Sequence, residues 1–140
     1  MNTTLTPKII GRVEKHHTAV LARSLRGTTL DEKQWITLSQ LAAPTGRQDH
    51  TARIAALTQW PGRDVEKALD NLLTSGYAEA LPDGDIQATG TGRALVATVR
   101  EASADTITRA YSAATPEDLA TTARVLEAIT ARLADDLAHS

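Results

Sequence analysis

The sequence predicts a mostly helical chain that carries one small β-hairpin. Three observations lead there. Apolar residues recur at steps of three and four through six separate segments. One short stretch, Tyr77 to Ala88, breaks that rhythm around a Pro-Asp-Gly turn. The core must be aliphatic, because aromatic residues make up only 3% of the 140 residues and Phe is absent; Leu, Ile, Val and Ala suit closely packed helices better than a broad sheet.

The first helical segment starts near Pro7, where the missing N–H costs little. Ile10, Val13, Val20, Leu21 and Leu25 form its stripe, and Gly27 is its C-cap candidate. A second helix begins near Asp31, with Trp35, Leu38, Leu41 and Ala42 on its apolar face. Pro44-Thr45-Gly46 reads as a turn. A third, short helix follows Asp49 as N-cap, with Ile54 and Leu57 facing inward. Trp60-Pro61-Gly62 breaks it. The fourth helix covers about 63–75, with Val65, Leu69, Leu72 and Leu73 at i, i+4, i+7 and i+8, and Gly76 closes it.

Tyr77 to Leu81 and Asp85 to Ala88 then read as two strands joined by Pro82-Asp83-Gly84, since Pro presets φ and Gly accepts positive φ. Such a hairpin is marginal alone and must lean on helices. Thr89 caps a long fifth helix from Gly90 to about Tyr111. Thr115-Pro116-Glu117-Asp118 starts the last helix, whose stripe is Leu119, Ala123, Leu126, Ile129, Leu133 and Leu137.

Composition excludes several classes. The chain has no cysteine, so disulfides, thiolate metal sites and thiol redox sensing are out. No apolar run is long enough to cross a bilayer, and the N-terminus has no signal-peptide pattern, so a cytoplasmic address is expected. Gly90-x-Gly92 is not a dinucleotide fingerprint, no phosphate loop is present, and no triad or carboxylate pair has a scaffold; no enzyme and no cofactor are expected. Net charge is −2, with bases in excess through residue 80 and acids in excess beyond it, which permits a local DNA face in the first part.

The order of elements is that of a winged helix-turn-helix between flanking helices, with residues 29–90 as the DNA-binding lobe and 1–28 and 91–140 as a helical dimerisation region of one 140-residue domain. The apolar stripes of the flanking helices suit a homodimer interface, as obligate dimers bury large apolar areas; the alternative is that they complete a monomeric bundle. The sequence further resembles the MarR family of bacterial regulators. Gln34-Trp35-x-x-Leu38 resembles the family's second helix, Arg53-Ile54-Ala55 a step in its third, and Val65-Glu66-Lys67-Ala68-Leu69-Asp70-x-Leu72-x-x-x-Gly76-Tyr77 its recognition helix. Thr89-Gly90-Thr91-Gly92-Arg93-Ala94-Leu95 resembles the start of its long fifth helix.

The resemblance implies a homodimeric transcriptional regulator bound to a pseudo-palindromic double-stranded DNA operator, commonly a repressor. It also implies release by a small phenolic or other anionic ligand, held between the dimer cap and the DNA-binding lobe. The chain departs from the family at the hairpin, which is short and holds no Lys or Arg between Tyr77 and Ala88. Where the family carries an Asp-x-Arg signature, Gln87 follows Asp85-Ile86.

The candidate DNA-contacting residues are Arg63 and Lys67, one turn apart and off the apolar stripe, with Arg47, Arg53 and Thr51 as phosphate anchors. Asp64, Glu66 and Asp70 beside them are poor company for a polyanion, and a plain solvated face is the competing account. Candidate ligand-binding residues are Trp35, His16 and His17; His17 lies four residues from both Val13 and Leu21 and so can face inward. Ordinary packing for Trp35, and a partly buried, hydrogen-bonded histidine, are the simpler accounts. The second function class is a winged-helix protein-interaction module that has lost DNA binding, suggested by the acid-rich fourth helix and a wing without Lys or Arg.

Overall fold

The computed structural model describes residues 3–140. In chain order it contains α1 (Pro7–Ser24), α2 (Glu32–Ser39), β1 (Thr45–Gly46), α3 (Arg47–Thr58), α4 (Gly62–Thr74), β2 (Ala78–Ala80), β3 (Asp85–Ala88), α5 (Gly90–Tyr111) and α6 (Pro116–Ala138). Two compact units result, one ending at Ser103 and one from Ala104 onward.

Local chemistry sets the helix ends. The Thr6 hydroxyl accepts the Ile9 N–H at the start of α1, beside Pro7. Asp31 and Gln34 cap α2 reciprocally, the Asp31 side chain accepting the Gln34 N–H and the Gln34 side chain accepting the Asp31 N–H. Thr115 caps α6 by accepting the Asp118 N–H. At the end of α4, Gly76 adopts φ +81°. The Tyr77 N–H then reaches back to the Leu72 carbonyl and the Gly76 N–H to that of Leu73, a Schellman closure that satisfies two orphan carbonyls.

In the first unit, Leu38, Ile54, Val65, Leu69, Leu72, Ile86 and Val99 are fully enclosed. They come from α2, α3, α4, β3 and α5, and Leu38, Leu69, Leu72, Ile86 and Val99 share one aliphatic cluster with Leu25, Leu30, Leu41, Ala78, Ala88 and Val96. Burying each such side chain is worth about 1.5–3 kcal/mol relative to leaving it exposed. The sheet is antiparallel in the order β1-β3-β2, with Ala80 opposite Ile86 and Thr45 also opposite Ile86. Alternation along β3 turns Ile86 and Ala88 inward, which is how a hairpin too short to stand alone leans on the helices.

The join between wing and α5 is tight. The Thr89 hydroxyl donates to the Gly76 carbonyl and accepts the Gly92 N–H, while the Thr89 N–H donates to the Tyr77 carbonyl. Gly92 lies so near that a Cβ there would sit 2.0 Å from the Tyr77 oxygen. Only glycine permits this approach.

Four sequence expectations change. Pro44-Thr45-Gly46 is not solely a turn, because Thr45 and Gly46 pair with β3. Asp49 lies in the first turn of α3, and Gly46 is the N-cap. α2 stops at Ser39, so Leu41 enters the core from beyond the helix and Ala42 stays exposed. Leu57 is 62% exposed, because the inward face of α3 is His50, Thr51 and Ile54, two of them polar.

In the second unit, α6 follows the end of α5 through the turn at 112–115 and contains no buried residue. α1, in the first unit, likewise has none between Pro7 and Ser24; Leu25, at its C-cap, is the first. Among the described residues no helix is long and apolar enough to cross a membrane.

Candidate nucleic-acid interface

α4 is a two-faced helix. Val65, Ala68, Leu69 and Leu72, at i, i+3, i+4 and i+7, are buried against the core, which fixes the helix's rotation about its axis. That rotation leaves Arg63, Lys67, Asp70, Asn71 and Thr74 on the open side.

The acids of α4 are all engaged. Asp64 receives the Lys33 ammonium of α2 at 3.0 Å, and that ammonium also lies over the Trp60 ring, 5.7 Å from its centroid. Glu66 accepts the Arg47 guanidinium at 3.1 Å through one oxygen and the Thr51 hydroxyl at 3.1 Å through the other. Asp70 accepts Arg47 at 2.5 Å. The Arg47 guanidinium is held above its usual pKa, first by the Asp70 bond, against desolvation, and then by Glu66. These pairs are partly exposed and each is worth little to stability. Their consequence is electrostatic: the acid-rich character of α4 is offset by cations from α2 and α3. Arg63 and Lys67 are exposed and, among the described residues, make no hydrogen bond or ion pair.

The other candidate residues stand elsewhere in this framework. Thr51 is 9% exposed and gives its hydroxyl to Glu66. Arg47 bridges the start of α3 to α4. Arg53 donates to the Gln40 carbonyl at 2.8 Å and to His50 Nδ1 at 2.9 Å, closing α3 onto the end of α2. Arg63 and Lys67 thus share the open face of α4, whereas Arg47, Thr51 and Arg53 are tied into the helix-turn-helix.

Trp35 is half-buried and packs on the aliphatic cluster. His16 and His17 are exposed on α1, each pairing its Nδ1 with the carbonyl four residues back, Arg12 at 2.7 Å and Val13 at 2.9 Å. The expectation that His17 faces the interior is therefore corrected for the single chain: α1 offers its stripe to little of the core, and the ring satisfies itself on its own helix. Among the described residues no group of three or more His, Asp or Glu is placed to hold a metal ion.

The wing is well formed but acidic. Its turn is closed by Gly84 N–H to the Leu81 carbonyl, Leu81 N–H to the Asp85 carbonyl, and Asp85 N–H to the Asp83 side chain, with Gly84 at φ +91°. Its charged side chains are Glu79, Asp83 and Asp85, and Glu79 is bonded by the Gln87 amide. The hairpin has no cation to bring to a phosphate.

Sequence reasoning missed Lys33 as the partner of Asp64, and His50 altogether. The only sequence signal for Lys33 was its place in the first turn of a helix preceding the acid-bearing one. His50 offered none beyond its i−4 relation to Ile54.

No protein-family model matches the sequence, and no curated protein matches it. Solved structures do. A MarR family transcriptional regulator from Silicibacter pomeroyi superposes with TM-score 0.74 at 17% identity, covering 90% of this chain and 88% of that one. The reduced form of MarR from E. coli gives 0.67 at 18% identity, with 91% and 95% covered. A MarR family protein from Mycobacterium tuberculosis, in complex with p-aminosalicylic acid, gives 0.63 at 21% identity, with 90% and 98% covered. The chain has the winged-helix fold of MarR-type structures.

Proposed function

We propose that this chain is a dimeric, DNA-binding transcription regulator, not an enzyme, and that α4 is its reading helix. The observation that carries this is the state of α4: Arg63 and Lys67 stand exposed and uncommitted one turn apart, while Asp64, Glu66 and Asp70 are each paired with Lys33 or Arg47. A major groove admits one such helix, and cations without internal partners are the ones able to bond phosphates or guanine edges. The winged-helix fold shared with MarR-type regulators supports the same reading.

In this account residues 29–90 form the DNA-binding lobe, and 1–28 with 91–140 join two copies. The paired α4 helices meet half-sites of a pseudo-palindromic operator about 34 Å apart, one helical turn. Repression follows if that operator overlaps a promoter. A small aromatic acid is the class of releasing ligand, since the M. tuberculosis neighbour holds p-aminosalicylic acid; Trp35, His16 and His17 are its candidate contacts.

The test is fluorescence anisotropy with duplex from the region upstream of the chain's own gene. Binding is expected to weaken steeply with salt as counterions are released. Arg63→Ala with Lys67→Ala is expected to lower affinity and to reduce the salt slope by about one for each phosphate no longer neutralised. Unchanged binding by that double variant would remove α4 from the interface. One observation favours the second reading, a protein-interaction module: the wing offers only carboxylates. Salt-insensitive or absent binding of the unmodified chain would select it.

A further inference from the structure

We propose that His50 and Arg53 form an acid-sensitive joint between α2 and α3, closed only while the His50 ring is neutral.

His50 is 0% exposed, an unusual place for an imidazole, and nothing in the DNA-contact account uses it. Its two ring nitrogens have different partners. Nε2 lies 2.9 Å from the Thr37 carbonyl of α2, which can only accept. Nδ1 lies 2.9 Å from Arg53 Nη2, which can only donate. The surroundings therefore dictate one form of the ring: Nε2 carries the hydrogen and Nδ1 offers its lone pair.

The carbonyls involved explain why the joint exists. α2 is short, and its last turn tightens, with the Leu41 N–H bonding the Leu38 carbonyl and not that of Thr37. Thr37 and Gln40 are left with orphan carbonyls at the helix C-terminus. His50 takes the first and Arg53 the second, so α3 caps α2 through two side chains one turn apart.

A second proton on the ring must go to Nδ1. It would set an N–H against the N–H of Arg53 at 2.9 Å, turning a hydrogen bond into a contact between two donors and two positive charges. Among the described residues no counter-charge acts on the ring. From α3 the charged neighbour acting on the ring is Arg53 itself, and from α2 come the Thr37 and Gln40 carbonyls. The α4 acids are taken elsewhere, Glu66 by Arg47 and Thr51, Asp70 by Arg47 and Asp64 by Lys33. Burial, and then the Arg53 charge, outweigh the Thr37 carbonyl and hold the ring's pKa below its ordinary value. The sign follows. The unfolded chain binds this proton near the ordinary histidine value of about 6.5 and the folded chain only at lower pH, so the joint's contribution is complete above about 6.5 and declines as pH falls toward the folded value.

The joint stands on hydrogen bonds within the fold and does not depend on DNA binding. Two measurements on the full chain test it. In thermal melts between about pH 7.5 and 5.0, the unmodified chain is expected to lose more stability than His50→Gln, whose amide keeps a donor and an acceptor but does not titrate; the excess is expected to reach about 3 °C. Superimposable pH dependences would overturn the proposal. If His50→Gln does not fold, ¹⁵N–¹H spectra of the unmodified protein decide. A His50 ring hydrogen on Nε2 and a titration midpoint below about 6.5 support the joint. A hydrogen on Nδ1, or a midpoint at or above that value, overturns it.

Discussion

The helix-turn-helix lobe and the helices α1 and α6 are built from similar residues and treat them in opposite ways. In the lobe, Leu38, Leu69 and Leu72 are enclosed almost completely. Along α6, a stripe of equal regularity leaves Leu133 60% and Leu137 59% exposed and Leu119, Leu126 and Ile129 only half-buried. α1 does the same with Ile10 and Val13. Scattered apolar side chains on a surface mean little, but a continuous stripe along a helix marks an unmet partner. The difference teaches that periodicity reports an intended burial without saying who supplies the other side. In the lobe the chain supplies it. For α1 and α6, we propose that a second copy does.

The comparison can be broken most decisively at α6. Leu133→Glu with Leu137→Glu is expected to convert a dimer to monomers by light scattering while leaving the helical circular dichroism signal largely intact. A dimer that survives both changes would return the stripe to plain surface.

Next in size is one substitution made in both regions. Leu69→Ala is expected to cost about 2–5 kcal/mol in urea unfolding, through reduced transfer energy and a cavity. Leu133→Ala, measured in dilute solution where subunits are separated, is expected to cost less than about 0.5 kcal/mol. Equal costs would show that both leucines are covered within one chain.

A good part of this was legible in the sequence, and the reasons are local. The α4 stripe, the Pro7 and Pro116 starts, the Thr89 and Thr115 caps and the Pro82-Asp83-Gly84 turn each depend on residues a few positions apart. What stayed hidden depends on packing between segments. Lys33 reaches Asp64 across 31 positions and Arg47 reaches Asp70 across 23, so the acids of α4 looked uncompensated on the linear chain. Leu57 fit a helical spacing, yet the α3 face turned inward is centred on His50, Thr51 and Ile54, because His50 finds the Thr37 carbonyl there. Arg63 and Lys67 were identifiable as lying off the stripe; that they alone keep their charge uncommitted on α4 needed the fold.

Gly92→Ala probes the seam where wing meets α5. The added methyl would press on the Tyr77 carbonyl, and relieving the overlap is expected to cost about 1–3 kcal/mol by urea titration. An unchanged midpoint would mean the seam yields freely. The smallest effect has the opposite sign. Among the described residues the Thr37 hydroxyl is buried without a hydrogen-bond partner, so Thr37→Val is expected to raise stability by about 1 kcal/mol. A loss of stability would show that the hydroxyl has found a partner in solution.

Sedimentation equilibrium of the unmodified chain over a wide concentration range tests the contrast between the two regions most directly. The account predicts a species with the mass of two chains that dissociates only on dilution. A mass of one chain at every concentration would contradict it, leaving the stripes of α1 and α6 without a partner and α4 without its twin.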